Sequence, residues 1–283
     1  MFGFLNVYKP KGKTSHDVVA FLRRVTKIKQ IGHTGTLDPF AEGVLPICIG
    51  KATRLIEYLD DDKAYIGKVQ FGSSTDTYDV EGKVTNSSFL KISKEELEKV
   101  LINFRGEIEQ IPPIYSALKV NGKKLYEYAR SGEEVEIKPR KVIINKLELN
   151  NFDFDNQTAD LYIECSKGTY IRSIANDLGE SLGCFGHLSS LKRIKAGKFL
   201  IENSVKLDEL IDVISVKNNL INPIEYLNMP TYELSQKELE AVSHGNPINI
   251  NRQNCFITFL SNEKLIAIAE VTNNTAKCKK VFI

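Results

Sequence analysis

The sequence predicts an α+β fold, and three observations carry that reading. Strand-like and helix-like segments are interspersed without the regular βαβ alternation of a doubly wound sheet. Two long strand-like runs, 141–154 and 158–165, flank the turn Asp155-Asn156-Gln157. After Pro230 the composition shifts to short strand-like runs, so the 283 residues hold a large unit and a small one.

Taken in order, residues 2–8 read as a strand, and Ser15 caps a helix whose Val18, Phe21, Leu22 and Val25 recur on one face. Residues 30–43 form a loop punctuated by Gly and Pro, and the apolar run 44–49 reads as a buried strand. A helix over 52–59 follows, then a strand over 64–71 whose Tyr65, Gly67, Val69 and Phe71 share a face. Ser93-Lys94-Glu95-Glu96 is a capping box opening a helix. Pro112-Pro113 breaks the pattern, Asn121-Gly122 signals a hairpin, and 125–130 can form a short helix. Beyond the long strands come a helix over about 170–182, a strand-like 188–199 and helices near 206–214. A linker around 217–231 leads to a short helix capped by Ser235-Gln236-Lys237-Glu238 and ended by Gly245. Strand-like runs at 255–260, 265–271 and 280–283 complete a small, mostly β module.

Hydrophobic residues make up 42% and charged residues 26%, an ordinary globular composition that excludes bulk disorder and collagen-like repetition. No apolar run approaches the roughly 18 residues of a membrane span. The start, Met1-Phe2-Gly3-Phe4-Leu5-Asn6, lacks the basic end and long apolar stretch of a signal peptide, so a cytoplasmic address is expected. Five scattered cysteines without a Cys-x-x-Cys pair argue against a disulfide framework. Cys184 and His187 have ligand-like spacing, but no second pair lies nearby, and no metal site is expected.

With 38 Lys+Arg against 36 Asp+Glu, the net charge of +2 gives no hint of a polyanionic partner. The distribution is less even. Residues 187–200 hold Lys192, Arg193, Lys195 and Lys198 and no acid, and 1–60 and 110–146 each carry an excess of four basic residues. Acidic segments such as Asp60-Asp61-Asp62 balance them. On a shared face these stretches give the footprint of a phosphate backbone, and otherwise they are merely solvated. Tyr115, Tyr126, Tyr128 and Tyr170 add surface for stacking or for packing.

Polar and flexible residues concentrate in the run from Gly32 to Gly43, which includes His33, Asp38, Pro39 and Glu42. Glycines at 32, 35 and 43 allow positive φ and close backbone approach, and Pro39 constrains the residue after the carboxylate. Asp38 can therefore act as a nucleophile toward a sugar carbon, a general base or a metal ligand. It can equally close an Asx turn on nearby N–H groups. Gly50-Lys51-Ala52-Thr53 fails as a phosphate loop, because Leu45 and Ala52 occupy positions that need Gly and Ser/Thr.

The run Lys9-Pro10-Lys11-Gly12-Lys13-Thr14-Ser15-His16-Asp17, followed by Gly32–Pro46, closely resembles the bacterial TruB family of tRNA pseudouridine synthases. Three more motifs follow in order: Ser74-Thr75-Asp76-Thr77 with Asp79 and Gly82; 110–119 (QIPPIYSALK) running on to 122–130; and 165–172 (CSKGTYIR). The resemblance implies a mixed, largely antiparallel sheet flanked by helices. It divides the chain into a catalytic domain, 1–228, with an RNA-gripping insertion at about 112–140, and a PUA-like RNA-binding module, 229–283. It implies isomerisation of the T-loop uridine of tRNA, conventionally position 55, to pseudouridine, with no cofactor, no metal and no obligatory protein partner, by a monomer. Residue by residue it makes Asp38 the essential carboxylate and Arg172 its partner, which favours the ionised form. Tyr65 stacks on the flipped base, Tyr170 and Leu191 line the uracil pocket, His33 contacts the RNA, and Lys9 is a basic residue near the site. Two other readings are a non-catalytic tRNA-binding or chaperone protein using the same groove, and a carboxylate glycosidase with Glu42 as its second acid.

Overall fold

Alternation along the strand around Tyr65 sets the centre of the fold. The computed structural model, which describes residues 1–283, places this strand at Lys63–Phe71, with Tyr65, Gly67, Val69 and Phe71 all buried. Gly186–Ala196 pairs antiparallel on one side and Thr158–Cys165 on the other. The sheet continues outward through Arg140–Asp153 and Gly106–Gln110 at one end. At the other end lie Glu42–Ile49, Gly3–Lys9 and Val205–Lys206. With two short side strands, Ile31–His33 and Phe199–Leu200, it has ten strands. Parallel pairing is confined to two short stretches, between residues 7–8 and 205–206 and between 42–43 and 192–193. The α+β, mixed and largely antiparallel architecture is therefore observed.

Helices cover the sheet where their apolar stripes dictate. Ser15–Thr26 turns Val18, Val19 and Leu22 onto Leu5, Leu45 and Ile47, each burial contributing roughly 1.5–3 kcal/mol. Its cap is Thr14, whose hydroxyl accepts from the Asp17 N–H while the Asp17 carboxylate accepts from the Thr14 N–H. Ser15, expected to be the cap, is the first helical residue, and its hydroxyl is free for another purpose. Ile171–Ser181 and Lys94–Leu101 seal the largest core cluster, whose 22 buried residues include Tyr65 and Leu191.

Some boundaries differ from expectation. Residues 50–58 form a 3-10 helix, with Ala52 and Leu55 buried three residues apart, the spacing at which 3-10 side chains eclipse. The strand expected over 188–199 runs from Gly186 to Ala196. The helical signal near 206–214 resolves into a 3-10 turn, Leu207–Glu209, and a helix, Val213–Asn218.

The C-terminal residues build a separate five-stranded sheet, ordered Thr231–Glu233, Cys255–Ser261, Lys264–Thr272, Thr275–Val281 and Ile248–Asn249. The helix Gln236–Ser243, capped by Ser235, lies beside it. This small, mostly β unit rests on the first through Leu265, Ile268 and Phe282, which share a core cluster with Phe4, Val44, Ala52 and Leu55. No helix is long and apolar enough to cross a membrane.

Candidate active site

Three side chains hold the loop that carries Asp38 from beneath, all through backbone atoms. Lys9, fully buried, donates from Nζ to the carbonyls of Lys13 (2.6 Å), Pro10 (3.0 Å) and Pro39 (3.4 Å). Ser15 Oγ donates to Leu37 O at 3.0 Å and accepts from Leu37 N–H at 2.8 Å. Arg193, also fully buried, donates from Nε to Val44 O (2.7 Å), from Nη1 to Thr36 O (3.2 Å) and from Nη2 to Gly35 O (3.1 Å). Gly43 lets the strands close at this point: its φ is +108°, and a Cβ there would lie 2.2 Å from Arg193 O. Of the three glycines expected to use positive φ, only Gly43 does so.

So tethered, the loop presents the Asp38 side chain to a cavity of about 810 Å³. The Asp38 carboxylate turns toward Arg172, not toward the N–H groups of its own loop, so the Asx-turn reading does not describe it. Arg172 Nε lies 3.0 Å from Asp38 Oδ2, off the N–H direction, and Nη2 donates to Asp38 Oδ1 at 3.5 Å. The pairing is a close ion contact without a strong aligned hydrogen bond. Arg172, 5% exposed, is no surface charge. It also donates from Nη1 to Asp79 Oδ2 (3.1 Å) and Thr77 O (3.0 Å), and from Nη2 to Tyr115 O (3.0 Å). Asp79 is satisfied further by the Thr77 hydroxyl (2.6 Å) and the Glu81 N–H (3.0 Å).

The charge balance at Asp38 differs from the simple expectation. Burial pushes its carboxyl above the ordinary carboxylate range, Arg172 pulls it back, and the like charge of Asp79 pushes it up again. Two carboxylates thus compete for one guanidinium.

Tyr65 and Leu191, on adjacent strands, line the cavity together with His33 and Tyr170. Burial pushes the Tyr65 phenol up to about 12, so it stays protonated at neutral pH. His33 Nδ1 is buried without a partner, and burial together with the Arg193 charge lowers its pKa. Tyr170 is fixed by Gln110, which accepts from its N–H at 2.7 Å and donates to its carbonyl at 3.0 Å. Six of the seven residues singled out in the sequence therefore face one cavity. Lys9 is the exception: it lies under the loop and lines no part of the wall.

Asp79 and Gln110 also lie within the family motifs, and the sequence alone points to no role for either. Their signal is a polar residue that must be buried to close a network, and it appears only once the partners are known. Glu42, the second acid of the glycosidase reading, pairs with Lys192 at 3.2 Å and is not on the cavity wall. No three His, Cys, Asp or Glu side chains converge in a group that could hold a metal ion. His187 Nδ1 lies 2.9 Å from Ser73 O.

The basic stretches are spent differently from one another. In 187–200, Lys192 and Lys195 pair with Glu42 and Asp62, Arg193 is buried on carbonyls, and Lys198 binds Glu225 O. That stretch therefore offers no continuous phosphate footprint. In the 110–146 segment, Lys124 and Arg130 do line the cavity, both placed over the ring of Tyr126.

Residues 23–171 match the model of the TruB family pseudouridylate synthase N-terminal domain. Residues 172–228 match that of the tRNA pseudouridylate synthase B C-terminal domain. Among curated relatives, the tRNA pseudouridine synthase B of Caldanaerobacter subterraneus subsp. tengcongensis is 44% identical over 99% of both chains. Those of Clostridioides difficile and Streptococcus pyogenes serotype M2 are 40% and 42% identical, again over 99% of both chains. The fold is similar to that in a crystal structure of a Cbf5-Nop10-Gar1 complex, with a TM-score of 0.74 at 24% identity, covering 100% of this chain and 85% of the other. It is also similar to an H/ACA RNP bound to a substrate RNA containing 2′-deoxyuridine, with a TM-score of 0.71 at 21% identity and the same coverage.

Proposed function

This chain belongs to the TruB family of pseudouridylate synthases, and on that premise we propose that it isomerises the T-loop uridine of tRNA, at conventional position 55, to pseudouridine. The C1′–N1 bond breaks, the uracil turns, a C1′–C5 bond forms, the C5 proton leaves and N1 gains a proton, so no atom is lost or added. The observation that carries the reading is a carboxylate facing a cavity lined also by a tyrosine and a leucine, and held by a buried arginine from a distant helix.

In this reading Asp38 is the nucleophile, and its weakly aligned contact with Arg172 leaves it free to move onto the substrate while remaining ionised. The target base must leave its stack to reach Asp38, and Tyr65 takes it by ring contact. As a neutral phenol, Tyr65 holds a proton that it can lend late in the reaction. Tyr170 and Leu191 bound the uracil, and His33 meets the RNA at the cavity wall. Lys9 acts through the loop it holds, not on the RNA. The segment 112–140 brings Lys124, Tyr126 and Arg130 over the cavity mouth to grip the RNA arm. Residues 229–283 act as a PUA-like second RNA surface. The reaction needs no cofactor, and the chain works in the cytoplasm as a monomer.

The test is incubation with an unmodified tRNA transcript followed by mapping of pseudouridine. The native protein should modify the T-loop, and Asp38→Asn should bind the same RNA with little change and modify nothing. A native protein that leaves the T-loop unmodified sinks the enzyme reading in favour of a tRNA-binding protein.

A further inference from the structure

Lys63, a cation lining the cavity, forms no ion pair with an acid. Lys63 begins the central strand two residues before Tyr65, so the two side chains leave the same face, and both line the cavity. It follows three aspartates, each engaged elsewhere: Asp61 pairs with Lys167 at 2.7 Å, Asp62 with Lys195 at 2.7 Å, and Asp60 accepts from Asn228 at 2.6 Å. Lys63 Nζ itself donates once, to Asp61 O at 3.0 Å. An ammonium has three donors, so two are left over.

The surroundings sharpen the point. The Lys63 stem runs beside Gly35 of the Asp38 loop, where a Cβ would lie 3.4 Å from its Cε. Arg193, the other cation there, has spent its guanidinium on backbone carbonyls and brings no carboxylate with it. Burial, and after it the Arg193 charge, lower the Lys63 pKa, and the nearby Asp61 and Asp62 charges offset this only in part. Of the other cations lining the cavity, Arg172 is paired with Asp38 and Asp79, while Lys124 and Arg130 stack on Tyr126 in the segment read above as gripping the RNA arm.

Resting on the reading of the cavity as a uridine site, we propose that Lys63 binds a backbone phosphate at the target nucleotide, which takes up the donors left over after its single bond to Asp61 O. Its role is to fix the flipped nucleotide against the Asp38 loop, as a positioning residue for the sugar.

The experiment uses a T-arm RNA hairpin and reads binding by fluorescence anisotropy and turnover by single-turnover kinetics. Lys63→Met should weaken binding roughly tenfold, as expected for a charge-assisted hydrogen bond. It should also make the salt dependence of binding shallower by about 0.7–0.9 in log–log slope, one phosphate contact. Lys63→Arg should restore most of both. A neutral methylphosphonate placed in turn at each phosphate flanking the target should weaken binding to the native protein at one position. At that position it should cost Lys63→Met nothing further. An unchanged salt slope in Lys63→Met, or no methylphosphonate position sensed by the native protein, overturns the proposal. So does a loss confined to the rate at saturating RNA. Because binding is read without turnover, failure here is distinct from failure of the isomerase reading, which shows as absent product from native protein on unsubstituted RNA.

Discussion

Arg172 serves two carboxylates, Asp79 in the interior and Asp38 facing the cavity, and removing it leaves both without their cation. Asp79, 4% exposed, would be left as an uncompensated buried charge, a defect that costs roughly 3–5 kcal/mol. Arg172→Met should show that loss in urea denaturation. The pH dependence of the reaction has a sign that follows from the same geometry. On the proposed role of Asp38 as nucleophile, activity needs its ionised form and falls as pH drops through its pKa. The guanidinium holds that pKa down, so Arg172→Met should move the acid limb to higher pH. Asp79 holds it up, so Asp79→Asn should move the limb the other way. Shifts in one direction for both variants count against the shared-arginine account. At this scale the convergence of Asp38, Tyr65 and Arg172 on one cavity was legible because residue type and motif position coincide. What Lys9 and Arg193 do was not. A basic residue in a sequence looks the same whether it faces phosphate or is folded onto carbonyls, and the distinction lies in contacts 30 or 150 residues away.

Among elements, the helix Ser15–Thr26 does more than pack, because its first residue is bonded twice to the loop. Ser15→Ala removes both bonds and leaves the Leu37 N–H buried without a partner, at a cost of about 1–3 kcal/mol. We expect lower turnover with RNA affinity nearly kept, measured as a fall in the single-turnover rate at saturating RNA. Thr14→Ala is the control: it weakens the helix cap by about 1 kcal/mol without touching the loop. The sequence favoured Ser15 as the cap, although the pair Thr14 and Asp17 carries the capping-box spacing, because two adjacent hydroxyls satisfy the same local pattern. Strands were read more securely. Alternation around Tyr65 survives intact, since a one-residue slip would turn the whole face outward. The 3-10 helix at 50–58 was not legible, as spacings of three and of three-and-a-half differ little over nine residues.

For the whole molecule, neutrality in sum includes one basic stretch that is also neutralised in place. Lysines in 187–200 meet acids or carbonyls, and the lysines and arginine that line the cavity without an ion pair are Lys63 of the central strand and Lys124 and Arg130 of the 112–140 segment. The two units are joined by apolar contact as well as charge. Phe282 packs against Phe2 at 5.5 Å between ring centres, and Arg54 lies over its ring while donating to Val281 O at 2.8 Å. A shared cluster predicts that both units unfold together. Phe282→Ala, expected to cost roughly 3–5 kcal/mol, should split a single calorimetric transition into two, and a single transition in the variant would show that the joint lies elsewhere. The separation of the C-terminal sheet was legible from the composition shift, but its attachment was not, because it depends on residues at opposite ends of the chain.

The guanidinium of Arg172 gathers segments separated by 134, 93 and 57 residues in the chain. Closures of that length come slowly, since loop entropy must be lost before any contact rewards it. A chain emerging from the ribosome carries Asp38 long before it carries Arg172, and until the later helix docks, that carboxylate has neither its partner nor its cavity. On the proposed role of Asp38, competence is thus withheld until the helix that carries Arg172 has docked, and the carboxylate stays idle in shorter nascent chains.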